Sequence, residues 1–214
     1  ELVPGAELLG GELEGAAAAR QALNSRRRID RDAVFRLKMN SLQQIYQRWS
    51  AAADESDRFA EQRRQFEAYG RQQGQPLETF AVYCALAERF GSDWRLWPTE
   101  YRRPESAAVA RFAADSWDRV RFHQWLQWAA EEQLAEAGRE ICLVHDLPIG
   151  VDPGGADAWC WQDLLAEGCT IGAPPDAFNI EGQNWALPPF VPHKLRAAQY
   201  APLRQTLAAL MRRG

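Results

Sequence analysis

The residues best suited to chemistry are crowded into 172-GAPPDAFNIEGQNWALPPF-190. There Asp176 offers a pair of acceptor oxygens, Gln183 and Asn184 carry donors and acceptors together, and Phe178 and Trp185 present flat apolar faces. Vicinal hydroxyls are matched by carboxylates and amides, and the apolar face of a sugar ring is matched by an aromatic ring. The stretch therefore has the inventory to hold a polyhydroxylated ligand. The same residues would also serve a rigid surface loop with Trp185 tucked into the core. Pro174, Pro175, Pro188 and Pro189 exclude a helix or a central strand.

Elsewhere the chemistry thins out. Asp146 directly follows the apolar run 141-ICLVH-145, the position at which βα loops carry polar active-site groups, but a carboxylate there equally well caps a loop. Asp146, Asp152 and Asp157 lack the D-x-D-x-D-G order and the closing Glu of a calcium loop. The glycines of 150-GVDPGGAD-157 lack the Gly-Lys-Ser/Thr ending of a phosphate loop and read as turn residues. His123, His145 and His193 are scattered, and no Ser or Cys sits in a nucleophile-elbow setting, so a hydrolytic triad has no support. No metal or other cofactor is expected.

The elements that must position these groups are mainly helical. Asp30 can cap a helix in which Val34, Leu37, Leu42, Ile45 and Trp49 recur, and Ser56 can open another carrying Phe59, Phe66 and Tyr69. Gly74 stops it. A further helix fits Pro76 to Phe90, with Leu77, Phe80, Ala81 and Cys84 on one stripe and Gly91 beyond its end. An aromatic connector with Trp94, Trp97, Pro98, Tyr101 and Pro104 follows. Helical spacing resumes at Glu105 with Val109, Phe112 and Ala113, and a second long helix follows with Phe122, Trp125, Leu126 and Ala129, expected to end at Gly138. The run 141–145 has the length and character of a buried parallel strand, and a second short strand fits near 169-CTIG-172. A last helix is expected from about His193 to Arg213 with Leu195, Leu203, Leu207 and Leu210 inward.

At 214 residues, 46% hydrophobic and 25% charged, the chain is ordinary for a globular protein. A net charge of -4 gives no general attraction for phosphate backbones, despite the local run Arg26-Arg27-Arg28, so nucleic acid is not an expected partner. No run approaches the ~18 apolar residues of a membrane span, and Glu1-Leu2-Val3 is not the basic start of a signal peptide. The expectation is a cytoplasmic protein without a membrane partner. Cys84, Cys142, Cys160 and Cys169 contain no CxxC pair and read as buried free thiols. Most of the nine tryptophans should be core.

Several stretches together resemble the amylomaltases, the 4-alpha-glucanotransferases of glycoside hydrolase family 77. Gly172-Ala173-Pro174-Pro175-Asp176-Ala177-Phe178 with Gly182-Gln183-Asn184-Trp185 is similar to the family's G-x-P-P-D-x-F…G-Q-x-W-G loop. Asp146-Leu147-Pro148-Ile149 with Gly155-Ala156-Asp157-Ala158-Trp159 is similar to the strand end and helix start before it. Phe122-His123-Gln124-Trp125-Leu126-Gln127-Trp128 and Phe90-Gly91-Ser92-Asp93-Trp94 are similar to the helical part.

The resemblance implies a mainly α chain with a short α/β part. Residues 1–138 would form a helical insertion subdomain, and 139–214 an incomplete arc of a (β/α)8 TIM barrel carrying the glucan-binding loop 172–190. It implies α-1,4-glucans and maltooligosaccharides as partners, transferred by a retaining double displacement. Asp146, Asp176, Phe178, Gln183 and Trp185 would bind substrate. The family's nucleophile lies in an Arg-Ile-Asp-His stretch beyond the last helix, and its acid/base Glu and stabilising Asp farther on, so no catalytic residue is expected among these 214. Arg28-Ile29-Asp30 is followed by Arg31 and does not match. Ala186 stands where the pattern has glycine, and Ala177 where some members have tyrosine. A stand-alone helical carbohydrate-binding or scaffold protein is the alternative, and a helical interaction domain a third.

Overall fold

A computed structural model describes residues 3–10, 12–52 and 57–211 of the chain. Nearly all of its regular structure is helical, and the chain divides into two compact units, Glu1–Gln73 with Gln124–Gln133, and Gly74–His123 with Leu134–Gly214.

In the first unit a 3-10 turn at Ala6–Leu9 precedes α1 (Glu12–Asn24), α2 (Arg31–Ala51) and α3 (Asp57–Gln73). Asp30 caps α2 as its sequence implies, its Oδ1 accepting from the Ala33 N–H at 3.0 Å. Ser56, the proposed cap of the next helix, lies outside the described residues. The core is aromatic: Trp49 of α2 sits 5.6 Å from Phe66, 5.6 Å from Trp128 and 6.0 Å from Trp125, ring centre to ring centre. Tilted and edge-on rings at these separations combine large apolar burial with favourable quadrupole geometry. The Trp49 indole N–H donates to Gln62 Oε1 at 3.0 Å, so its polar edge is not orphaned.

The second unit begins with α4 (Gln75–Phe90), entered through Gly74 and left through Gly91. Two 3-10 turns, Trp94–Leu96 and Thr99–Tyr101, lead to α5 (Ala107–Asp115), where Ser106 Oγ accepts from the Val109 N–H at 3.2 Å. Then come α6 (Trp117–Glu140), α7 (Ala156–Cys160), a 3-10 turn at Gln162–Leu164, β1 (Ile171–Ala173), β2 (Gln183–Leu187), α8 (Pro192–Ala197) and α9 (Ala201–Met211). Trp97 and Trp159 are fully buried, 5.8 Å apart, and Tyr83 stacks against both. The Tyr83 hydroxyl is directed at the carbonyls of Ser92 and Gly154, which ties α4 to the turn before α7, and burial pushes the phenol up to about 12.

Four sequence expectations are corrected, and a fifth, the short strand near 169–172, is met. Residues 141–145 form no strand among the described residues; Ile141 is 61% and Val144 93% exposed, because no strand is present beside them to take their backbone groups. The strand near 169–172 forms and pairs antiparallel with β2. Gly138 does not end α6, which runs to Glu140; a helical glycine costs about 1 kcal/mol and does not forbid the turn. The final helix is broken after Ala197 by Gln199 and Tyr200, both left-handed at φ 51 and 57, and Leu203 and Leu207 are exposed. Pro202, early in α9, cannot donate to the preceding turn, and only Leu195 of the expected stripe is buried. All four cysteines are free thiols, yet Cys142 and Cys169 are exposed and Cys84 and Cys160 half-buried.

Candidate functional site

Four of the five sequence-proposed residues lie on one antiparallel hairpin, β1 and β2 with the tip between them. Its register pairs Gly172 with Asn184 and Ala173 with Gln183, then slips so that Ile171 faces Leu187. The slip leaves Trp185 and Ala186 on a bulge, and a bulge re-aims the side chains it carries. Ala186 accordingly sits at φ 57, the left-handed region that explains the glycine preference at this place. Asn184 Oδ1 holds the bulge by accepting from the Ala186 N–H at 2.8 Å. At Gly172 a Cβ would lie 1.9 Å from the Gln183 carbonyl oxygen, and at Gly182, φ 73, 2.7 Å from that of Ala173. The strands can approach this closely only with glycine at both positions.

Two side-chain locks stiffen the hairpin. Asp176 Oδ1 accepts from the Phe178 N–H at 2.8 Å and the Asn179 N–H at 2.7 Å, an Asx turn that leaves Phe178 wholly exposed. Asn179 returns its carbonyl to the N–H of Asp176 at 3.0 Å and of Gly182 at 3.1 Å. Gln183 Oε1 accepts from the Trp185 indole N–H at 2.9 Å, fixing that ring at 38% exposure, so Trp185 is not a core residue. The hairpin base is tied down by the Leu165–Phe190 bridge and by bonds from the Ala166 N–H to the Pro189 carbonyl and from the Val191 N–H to the Leu164 carbonyl.

Asp146, the fifth residue, is exposed in the extended segment that follows α6, and among the described residues no hydrogen bond or ion pair joins it to the hairpin. The segment does reach the hairpin base at Gly150, where a Cβ would meet Leu187 at 3.2 Å. Among the described residues no group of three or more His, Cys, Asp or Glu is arranged to hold a metal ion. The hairpin presents one held aromatic ring, Trp185, one fully exposed ring, Phe178, an amide pair and a carboxylate on a single projection. Sequence reasoning missed Asn184 as a lock; the signal was available, since Asn favours side-chain-to-backbone turns.

The fold is that of a mainly helical chain projecting one stiffened, aromatic hairpin, and comparison with known proteins gives the family. The 4-alpha-glucanotransferase family model matches residues 8–213, and the chain belongs to that family. It is similar to a 4-alpha-glucanotransferase of Mycobacterium tuberculosis, 40% identical over 191 residues, covering 86% of this chain and 25% of that protein. It is 29% identical over 199 residues to the enzyme so named in Haemophilus influenzae, covering 86% of this chain and 28% of that protein. Its fold is similar to amylomaltase from Corynebacterium glutamicum at a TM-score of 0.73 and 29% identity, covering 99% of this chain and 29% of that one. The amylomaltase of Streptococcus agalactiae, solved with acarbose, shares the fold at a TM-score of 0.70 and 19% identity, covering 90% of this chain and 41% of that one. The chain thus spans about a quarter of the length of these curated relatives.

Proposed function

We propose that this chain is the glucan-holding part of a 4-alpha-glucanotransferase that cuts an α-1,4-glucan, keeps one part as a glycosyl ester on a carboxylate, and passes it to another glucan. In this reading Trp185 and Phe178 stack against glucose rings, Gln183 bonds a hydroxyl while orienting Trp185, Asp176 shapes the tip, and Asp146 stands at the mouth of a barrel. The helices up to residue 138 form an insertion, and 139–214 an arc of a (β/α)8 barrel. Exposed Ile141, Val144 and Ile149 support that arrangement, since these are the side chains a barrel strand would bury against neighbours outside this chain. The nucleophile, the acid/base Glu and the stabilising Asp of the retaining mechanism also lie outside these residues, and the parent protein works in the cytoplasm.

The hairpin carries this reading: its Trp185 ring is held by Gln183 before ligand arrives and so loses little freedom on binding. The 214-residue chain, incubated with maltotriose, should give neither glucose nor longer oligomers, yet should be retarded in a glucan-containing native gel. Trp185→Ala should weaken the retardation several-fold without changing the circular dichroism. Disproportionation by the chain alone, or retardation unaffected by Trp185→Ala, would overturn the assignment.

A further inference from the structure

A cavity of about 730 Å³ in the second unit lies between the turn carrying Trp94 and the segment 162–170, with Ala186 and Pro188 of the hairpin's outgoing strand in its wall. This is within the size range of small-molecule sites, roughly 300–1,000 Å³. Its floor is apolar, with Ala158 and Leu165 both buried. The Trp94 indole N–H donates to the Pro153 carbonyl at 3.0 Å, so the ring orientation is set by the protein itself.

The polar rim decides what kind of ligand fits. Arg103 Nη1 donates to Asp163 Oδ1 at 2.6 Å across the opening, and among the described residues nothing bonds Asp163 Oδ2. Arg95 is clamped by Asp93 through two bonds of 2.8 and 2.7 Å, so its charge is matched within its own turn. With both guanidiniums paired and Glu167 the remaining charge in the lining, there is no positive excess for a phosphate or carboxylate ligand. One unpaired carboxylate is too few oxygen ligands for a cation. A guanidinium–carboxylate pair does present a donor and an acceptor side by side, the pattern that two neighbouring hydroxyls satisfy, and Thr170 adds a hydroxyl of its own.

We propose that this cavity is a second carbohydrate site, which takes a neutral glucose ring against Trp94 with its hydroxyls on Arg103, Asp163 and Thr170. The inference stands on the cavity's own chemistry and needs no sugar on the hairpin tip. Its place beside the hairpin's outgoing strand would let a long glucan be held at two points on one protein surface, raising the local concentration of chain at the tip.

The cavity contains its own reporter. Cys169 lines it and is exposed, Cys142 is exposed elsewhere, and burial pushes the Cys84 and Cys160 thiols up to about 12, where alkylation at pH 8 is slow. The whole chain is treated with iodoacetamide, with and without maltotriose, and each cysteine is followed by peptide mass spectrometry. Saturating maltotriose should slow Cys169 by about fivefold or more and leave Cys142 unchanged. Asp163→Ala and Thr170→Val, both at exposed positions, should each remove the protection with unchanged circular dichroism, and Trp185→Ala should preserve it. An unprotected Cys169 overturns the proposal, as does protection by inorganic phosphate equal to that by maltotriose. So does protection lost in Trp185→Ala but kept in Asp163→Ala, which would place all the sugar on the hairpin. Failure of the hairpin reading looks different: Cys169 stays protected while Trp185→Ala leaves gel retardation unaltered.

Discussion

Asp176 separates two ways in which a carboxylate can serve a binding loop. One of its oxygens is committed to the Phe178 and Asn179 amides, so the carboxylate acts first on the backbone that displays Phe178. Asp176→Asn keeps an acceptor oxygen in place and should hold the turn. Asp176→Ala removes it and should cost about 1 kcal/mol of local order. The check is amide hydrogen exchange: the Phe178 and Asn179 amides should exchange faster in Asp176→Ala and nearly as in the parent chain in Asp176→Asn, with glucan retardation following the same order. The type of this residue was legible in the sequence, but its partner was not, because an aspartate two residues before an aromatic can face either solvent or its own turn. Glu88 was passed over altogether, since a glutamate on a helix is ordinarily solvated. Here it meets His123 at 3.2 Å and Arg119, whose guanidinium also lies 4.4 Å over the Phe122 ring. Burial alone would push the Glu88 carboxyl up, but hydrogen bonds from His123 and Arg119, with their charges, outweigh it and bring it to about 2. A folded-state value below the unfolded one of 4.5 contributes stability that is present in full above pH 4.5 and lost as pH falls towards 2. Because the carboxylate is 38% exposed, solvent screening reduces the effect to on the order of 1 kcal/mol. Urea unfolding at pH 6, 4 and 3 should show that acid-side loss in the parent chain, and a smaller one in Glu88→Gln.

Among the elements, the helices were legible because their ends are marked by chemistry: Asp30 caps α2, and Gly74 and Gly91 flank α4 as expected. What periodicity could not show was a break inside an amphipathic pattern. Leu195, Leu203, Leu207 and Leu210 keep helical spacing across the left-handed Gln199 and Tyr200, so Pro202 was the better guide. The hairpin was hidden for a related reason. Its strands are short and its prolines and glycines argue against strand, yet those glycines are what let the Gly172 and Gln183 backbones meet. Ala186 carries a left-handed strain of about 1–2 kcal/mol that glycine would relieve, set against roughly 0.4–1 kcal/mol of extra freedom in the unfolded chain. Ala186→Gly should therefore stabilise the chain by about 0.5–1 kcal/mol, read as a higher urea midpoint at unchanged slope. The gain should appear without any loss of the Trp185–Gln183 bond, visible as an unshifted indole emission.

For the whole molecule, the apolar balance of the second unit is the informative quantity. Its buried centre, Trp97 and Trp159 with Tyr83 and Leu86, is filled as a core should be, while Ile141, Val144, Leu147, Ile149, Phe178 and Ile180 stand in solvent. Isolated exposed apolar residues are normal in proteins, but four of these fall on one extended segment whose backbone is not in a sheet. The sequence showed that 141–145 wants burial; it could not show where the covering surface is, because strand pairing is a property of the neighbours as much as of the strand. An extended segment with free backbone groups and apolar side chains is a template for pairing with another chain. A net charge of -4 spread over 214 residues gives only weak repulsion against that. The purified chain should therefore bind a hydrophobic dye while retaining its helical circular dichroism, and light scattering should rise with concentration. The doubly substituted chain Val144→Lys, Ile149→Lys should bind less dye and scatter less at equal stability, since both positions are exposed and neither substitution opens a cavity. Equal dye binding and scattering by the two chains would mean that the exposed segment is not what the molecule leaves uncovered.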